Sequence, residues 1–309
     1  METVSYGGWP NCIRLTNGEV ELIVTTDVGP RVIRYGFVGE QNEFHEFKDQ
    51  LGKVGGDEWR IYGGHRLWHA PEKNPRSYEP YNETVPYEWD GRWLHLRPKT
   101  EANTGIRKEM SIHLAAEGSH VKIIHRIINE GQWAVKLAVW PLTVMAPGGK
   151  AIIPQEPYAA HTDELAPARP LVLWRYTRMD DPRWTWSSKY IQLRQDPNAT
   201  SPQKLGALIK DGWAAYWRNN HLFFKFFPYS NGARYADYGC NMECFTNGDM
   251  LEVETLGPLT KLEPGGGTDH IEGWFLHKNV PSAEIDEDLD KVIVPLLKKD
   301  RKTHDASEH

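Results

Sequence analysis

Apolar and polar residues alternate with a period of two over many short stretches of this chain, from about residue 19 to residue 276. Residues 19–25 lead through Asp27, Val28, Gly29 and Pro30 into 31–37, which predicts a hairpin rich in β-branched residues. A second hairpin is predicted from 106–114 and 120–128, with its turn at 116–119 and Asn129, Glu130 and Gly131 closing it. Residues 133–145 form another extended apolar stretch, ending before Gly148 and Gly149. Further strand-like runs fall at 190–194, 205–209, 213–217, 221–227, 241–245, 250–255 and 270–276. Turn residues separate nearly all of them.

A helical period emerges only at the end. Ser282 is placed to cap a helix with Ile285, Leu289, Val292 and Ile293 on one face, and Pro295 is expected to end or kink it. The polar tail 298–309 is expected to fray. Residues 72–88 and 154–170 read as long loops, and loops of that length on a compact domain are functional or disordered. There is no internal repeat and no linker-like stretch. Many short strands with one terminal helix predict an all-β chain folded as one large sandwich.

Charge and composition narrow the function classes. The chain has 309 residues and a formal net charge of −6, which argues against a nucleic-acid groove. No run of about 18 apolar residues occurs, so no membrane partner is expected. The first residues have neither a basic region nor an apolar core of the signal-peptide type. Cys12, Cys240 and Cys244 lack metal-type spacing, so a cytoplasmic location is expected. Thirteen tryptophans are present. Indole rings either fill a thick β-core or line a recess, where their flat faces suit the C–H faces of sugars.

Two constellations carry candidate chemistry. From Arg60 to Glu72, thirteen positions hold two arginines, two histidines, a tryptophan and a glutamate around Gly63, Gly64 and Pro71. The glycines and proline predict an irregular loop that overhangs a site, with His65 and His69 for proton transfer, Arg66 for hydroxyls or a carboxylate, and Trp68 for stacking. A solvated surface turn accounts for the same residues. His65, His69 and Glu72 have a weak ligand-like spacing, but no helix underlies it and no metal is expected. In the second constellation Glu252 and Glu254 share one face of a strand, as Asn241 and Glu243 do on the strand before. An exposed outer face holds such carboxylates at no cost. A desolvated face would raise one carboxyl's pKa and create a general acid or base.

The run from Glu254 to Pro258, then Leu262 to Gly265, then a last strand with Gly273, Trp274 and Phe275, resembles the C-terminal signature of the galactose mutarotase-like (aldose 1-epimerase-like) superfamily. Residues 63–69 are similar to its glycine-glycine segment, and 28–34 to its first hairpin. The whole chain looks like a bacterial branch of that superfamily, the one labelled DUF4380. The likeness spans roughly residues 12 to 277. It implies a β-supersandwich of two large antiparallel sheets over residues 1–280, with a short C-terminal helix and polar tail over 281–309. It places Glu254 at the position of the catalytic base. The superfamily's acid histidine follows an asparagine turn on a mid-chain strand, and residues 136–143 after Asn129 hold none; Trp140 stands about there.

The resemblance therefore implies a carbohydrate-active enzyme of the epimerase type. Glu254 takes the anomeric proton, His65 or His69 acts as acid, and Trp68 and Trp140 stack on the ring. Arg31, Arg66, Glu72, Asn241, Glu243 and Glu252 complete the binding face. No cofactor is implied, and the ligand is a mono- or oligosaccharide. A polysaccharide lyase or glycoside-cleaving enzyme on the same scaffold, or a sugar-binding module without catalysis, are the alternatives.

Overall fold

Strand alternation sorts the apolar residues into two inner faces that close on each other, and the architecture follows from that. The computed structural model describes residues 1–306. It holds an 11-stranded and a 10-stranded sheet, with every named strand pairing antiparallel. The larger sheet begins with Glu2–Tyr6, Trp9–Thr16, Val20–Thr25, Arg31–Phe37 and His65–Ala70. It continues through Val135–Met145, Leu251–Thr255, Met242–Thr246 and Gln203–Ala207 to Leu171–Leu173, and Thr260–Leu262 pairs off the side of Val135–Met145. In the smaller sheet Gly267–His277 lies between His221–Phe226 and Val121–Asn129.

Between the sheets Leu22, Val32, Leu67, Val139 and Val253 meet Met110, Ile123, Phe223 and Trp274 in one apolar core. Each such side chain, fully buried, stabilises the fold by about 1.5–3 kcal/mol. The predicted strands and the all-β sandwich are present, and the loops 72–86 and 155–170 are irregular.

Two expectations are corrected. The stretch after Gly64 is a strand, His65–Ala70, buried at every position and hydrogen-bonded beside Val135–Met145 in the middle of the larger sheet. Its glycines serve the entry to that strand. Gly63 has φ 107° and Gly64 φ 65°. A Cβ on them would lie 2.1 Å from the His45 carbonyl oxygen and 2.3 Å from that of Val32.

The helix spans Asp286–Ala306 and passes through Pro295. It is held from outside by its packing on the smaller sheet: Leu289 and Ile293 lie on Phe224, Phe226 and Phe275. Asp300 accepts from His277 Nε2 at 2.6 Å. Residues 298–306 are therefore helical, and 307–309, the end of the tail expected to fray, lie outside the described residues.

Candidate functional site

The outer face of the larger sheet carries charge that period-two alternation turned away from the core. Register aligns Arg66, Leu142, Glu254, Glu243 and Gly206 as successive cross-strand partners on five strands. Trp68 faces Trp140 one step along. Arg66 Nη1 donates to Glu252 Oε1 at 2.8 Å. Trp140 Nε1 donates to Glu254 Oε2 at 3.0 Å. Lys204 Nζ lies 2.8 Å from Glu243 Oε2 and 3.1 Å from Glu254 Oε2, bridging the two carboxyls. Glu254 Oε1 is buried without a hydrogen-bond partner.

A cleft of about 380 Å³ opens over this floor, lined by Glu72, Tyr78, Trp140, Trp174, Lys204, Asp237 and Glu243 among others. That volume is in the range of small-ligand sites. The Lys204 ammonium sits 4.8 Å from the Trp174 ring centre and 5.1 Å from that of Trp140. Gly206 makes room for Trp174: a Cβ there would come within 3.4 Å of the indole and 2.3 Å of Cys240 Sγ.

Burial sets the electrostatics. It pushes the Glu243 carboxyl up to about 8 against the pull of Lys204, and the Glu254 and Asp237 charges add to the rise. Burial raises Glu254 as well, again opposed by Lys204. Asp237 is raised by burial, and the Lys204 charge works the other way. Burial opposes the Lys204 charge, but Glu243 and Glu254 hold the ammonium well above its ordinary range. The cleft thus contains a fixed cation beside carboxyls that burial shifts toward their protonated forms, Glu243 to about 8.

The structure brings together Glu254, Glu243, Trp140 and Glu72 at or beneath the cleft, and Arg66 and Glu252 beside them on the same face. It does not bring the others. His65 and His69 alternate with Arg66 and Trp68, so they point to the opposite face of the sheet, away from Glu254. Trp68 is covered by Trp59, Tyr78 and Trp140, with ring centres 5.6, 5.0 and 5.5 Å away, and has no free face for a ring.

Asn241 spends its amide on Ile209, accepting from its N–H at 2.6 Å and donating to its carbonyl at 2.9 Å. Arg31 is buried beside Tyr62 and donates to the Arg60 carbonyl at 3.1 Å, away from the cleft. Burial lowers its pKa to about 9, with the Arg66 charge adding to the fall. Sequence reasoning missed Lys204, Trp174, Asp237 and Tyr78. Lys204 sits near the start of Gln203–Ala207, immediately before the apolar run 205–209 that marked that strand.

His65 belongs to an interior network between the sheets. Lys225 Nζ donates to Thr143 Oγ1 at 2.6 Å, and Thr143 meets His65 Nδ1 at 2.8 Å. His65 Nε2 meets His125 Nε2 at 2.7 Å, and His125 Nδ1 meets the His270 carbonyl at 3.0 Å. That last bond makes His125 Nδ1 the donor, so His65 donates through Nε2 and accepts from Thr143 through Nδ1. Among the described residues His65, His125 and Glu272 place ligand-type atoms within 4.8 Å of one another. The histidine lone pairs there are already spent, and Glu272 lies 3.2 Å from Lys225 and accepts from Trp274 Nε1 at 2.8 Å. The trio is therefore a satisfied polar network, with no open donor set for a cation.

No protein-family model matches the chain, and no curated protein is significantly similar to it in sequence. Solved structures do match. The Slr1438 protein from Synechocystis sp. PCC 6803 superposes with a TM-score of 0.55 at 14% identity, over 90% of this chain and 100% of that one. A galactose mutarotase-like protein from Lactobacillus casei ATCC 334 gives 0.55 at 10% identity, over 86% and 100%. Another from Clostridium acetobutylicum gives 0.51 at 11% identity, over 86% and 95%. At these identities the likeness shows the fold alone: this chain has the β-sandwich of galactose mutarotase-like proteins. Among the described residues no helix is long and apolar enough to cross a membrane.

Proposed function

We propose that the cleft binds a sugar and that the protein is an aldose epimerase-type enzyme acting at the anomeric carbon, with Glu254 as proton acceptor. The carrying observation is the state of Glu254. It sits in a central strand of the sheet, its Oε2 fixed by Trp140 and Lys204 and its Oε1 left without a bond. Ring opening of an aldose needs one group to take the proton of O1 and another to give one to the ring oxygen. Glu254 is buried at the floor, so binding entails a local shift that opens its free Oε1 to the anomeric hydroxyl while Lys204 keeps its hold on Oε2. Trp174 supplies the apolar wall for the ring. The fold it shares with galactose mutarotase-like proteins supports this reading, and the finer likeness to the DUF4380-labelled branch rests on sequence motifs alone.

The test is NMR exchange spectroscopy on a panel of aldoses, with a glycan-cleavage screen beside it. Wild type should speed anomer exchange, and Glu254→Gln should lose about 100-fold or more of that rate. Full turnover in the variant would remove Glu254 from the base role, and cleavage without exchange would move the reading to a glycoside-cleaving enzyme. A second reading, a sugar-binding module without catalysis, draws on the absence of any histidine among the described residues that line the cleft. It predicts saturable binding by calorimetry with no exchange.

A further inference from the structure

The sequence expected a histidine to protonate the ring oxygen, and the only two it offered point to the other side of the sheet. We propose that Glu243 is the proton donor of the cleft, the acid partner of Glu254, and that Lys204 positions the pair. This rests on the reading of the cleft as a sugar site.

Three features of the geometry carry it. Glu243 and Glu254 are directly opposed on neighbouring strands, so their side chains leave the sheet side by side. Lys204 reaches both, at 2.8 and 3.1 Å, and so fixes their separation. Glu243 Oε1 is buried without a hydrogen-bond partner, as Glu254 Oε1 is, so it is free to carry a proton. Glu243 and Asp237 both line the cleft.

The charges that face Glu243 from each packed element agree with this. Lys204 comes from the strand on one side, Glu254 from the strand on the other, and Asp237 from the loop before its own strand. Tyr176 and Cys240 also feel its charge, and Glu72 acts on Asp237. Three carboxyls around one ammonium favour keeping a proton, and Glu243, which lacks the indole donor that Glu254 has, is where it is held. Glu254 keeps the indole N–H and a share of the ammonium, which favour its ionised form. Two groups with unlike environments thereby divide the acid and base roles.

The step balances. Glu254 takes the proton of the O1 hydroxyl, the O1 electrons form the C1=O1 double bond, and the bond from C1 to the ring oxygen breaks. The ring oxygen keeps that pair and takes the proton from Glu243. Rotation about C1–C2 and the reverse transfers give the other anomer and restore both carboxyls.

The test combines pH–rate profiles of anomer exchange for wild type, Glu243→Gln and Glu254→Gln with 13C titration of the glutamate δ-carboxyls in the unaltered protein. Glu243→Gln should lose about 100-fold in kcat with KM little changed, and should lose the alkaline limb of the profile. Asp237→Asn should move that limb to lower pH, because the Asp237 charge raises Glu243. In wild type one glutamate carboxyl should titrate near 8, which reads the proton even if Glu243→Gln fails to fold. An inactive Glu254→Gln beside a Glu243→Gln within about 3-fold of wild type would overturn this assignment and leave the sugar reading standing. Every glutamate titrating in the ordinary carboxylate range would overturn it as well. No exchange by wild type on any aldose would overturn both.

Discussion

Asn241 lies at the cleft-facing parity of its strand and is still unavailable to a ligand, because both halves of its amide are bonded to one backbone unit of Ile209. Replacing it by alanine strands the buried Ile209 N–H, which costs about 1–3 kcal/mol, while the Ile209 carbonyl keeps the Gly212 N–H at 3.3 Å. Asn241→Ala should therefore lower the urea midpoint by an amount equivalent to about 2 kcal/mol while leaving sugar affinity in place. Loss of affinity with unchanged stability would return it to the site. Glu243 makes the opposite prediction. Its folded carboxyl is raised from 4.5 to about 8, so the folded state holds a proton through that window that the unfolded chain has released. Stability from this group is fully present below 4.5 and is lost as pH rises toward 8. Glu243→Gln should flatten the pH dependence of the urea midpoint over that range, and an unchanged slope would show that the carboxyl titrates normally.

At the scale of elements, the strands with clean alternation were readable because one side of each faces the inter-sheet core and the other does not. Ile106–Leu114 follows the predicted limits to the residue. His65–Ala70 was not readable for the converse reason. It lies in the middle of the sheet with both faces covered, so its polar and apolar residues follow no solvent pattern, and its glycines look like loop residues. Had that stretch been taken as a strand, the same period would have put His65 and His69 opposite to Arg66 and Trp68. Glu243 and Glu254 were legible as a shared face; Lys204 was not, because a lysine at a strand's start normally reads as solvent-exposed.

The helix was legible by its apolar face but not in its length, since its last turns depend on partners far off in the chain. His304 packs on Phe226, ring centres 5.4 Å apart, and Asp300 meets His277. Ending the chain after Lys299 removes these contacts and uncovers Phe226. We expect a lower melting temperature and increased binding of a hydrophobic dye, and an unaltered melt would show that the packing against 300–306 adds nothing.

For the whole molecule, the decisive feature is the number of histidines sealed in the sandwich and under its helix. Burial holds His69 down to about 2 and His120, His125 and His270 to about 3, and it keeps His65 well below its ordinary 6.5. All of them are neutral in the folded state across the usual pH range, whereas the unfolded chain protonates each near 6.5. Their contribution to stability is thus present above 6.5 and lost as pH falls below it. Each such group removes about 1.4 kcal/mol per pH unit, so five together reach the roughly 5–15 kcal/mol of an ordinary domain within one to two units. Glu43, Glu79, Asp237, Glu243 and Glu254, all raised by burial, work in the other direction, but with His45 and His113 also lowered the imidazoles outnumber them seven to five. Calorimetric melts from pH 7.5 to 4.5 should therefore fall steeply below 6.5, with several protons taken up per molecule unfolded. His125→Asn should make the fall shallower, because it removes a proton site from the unfolded chain. A melting temperature that stays level down to pH 5 would mean that the interior network accepts protons in place, and the neutral chain from Thr143 to His270 would then be the wrong description of the space between the sheets.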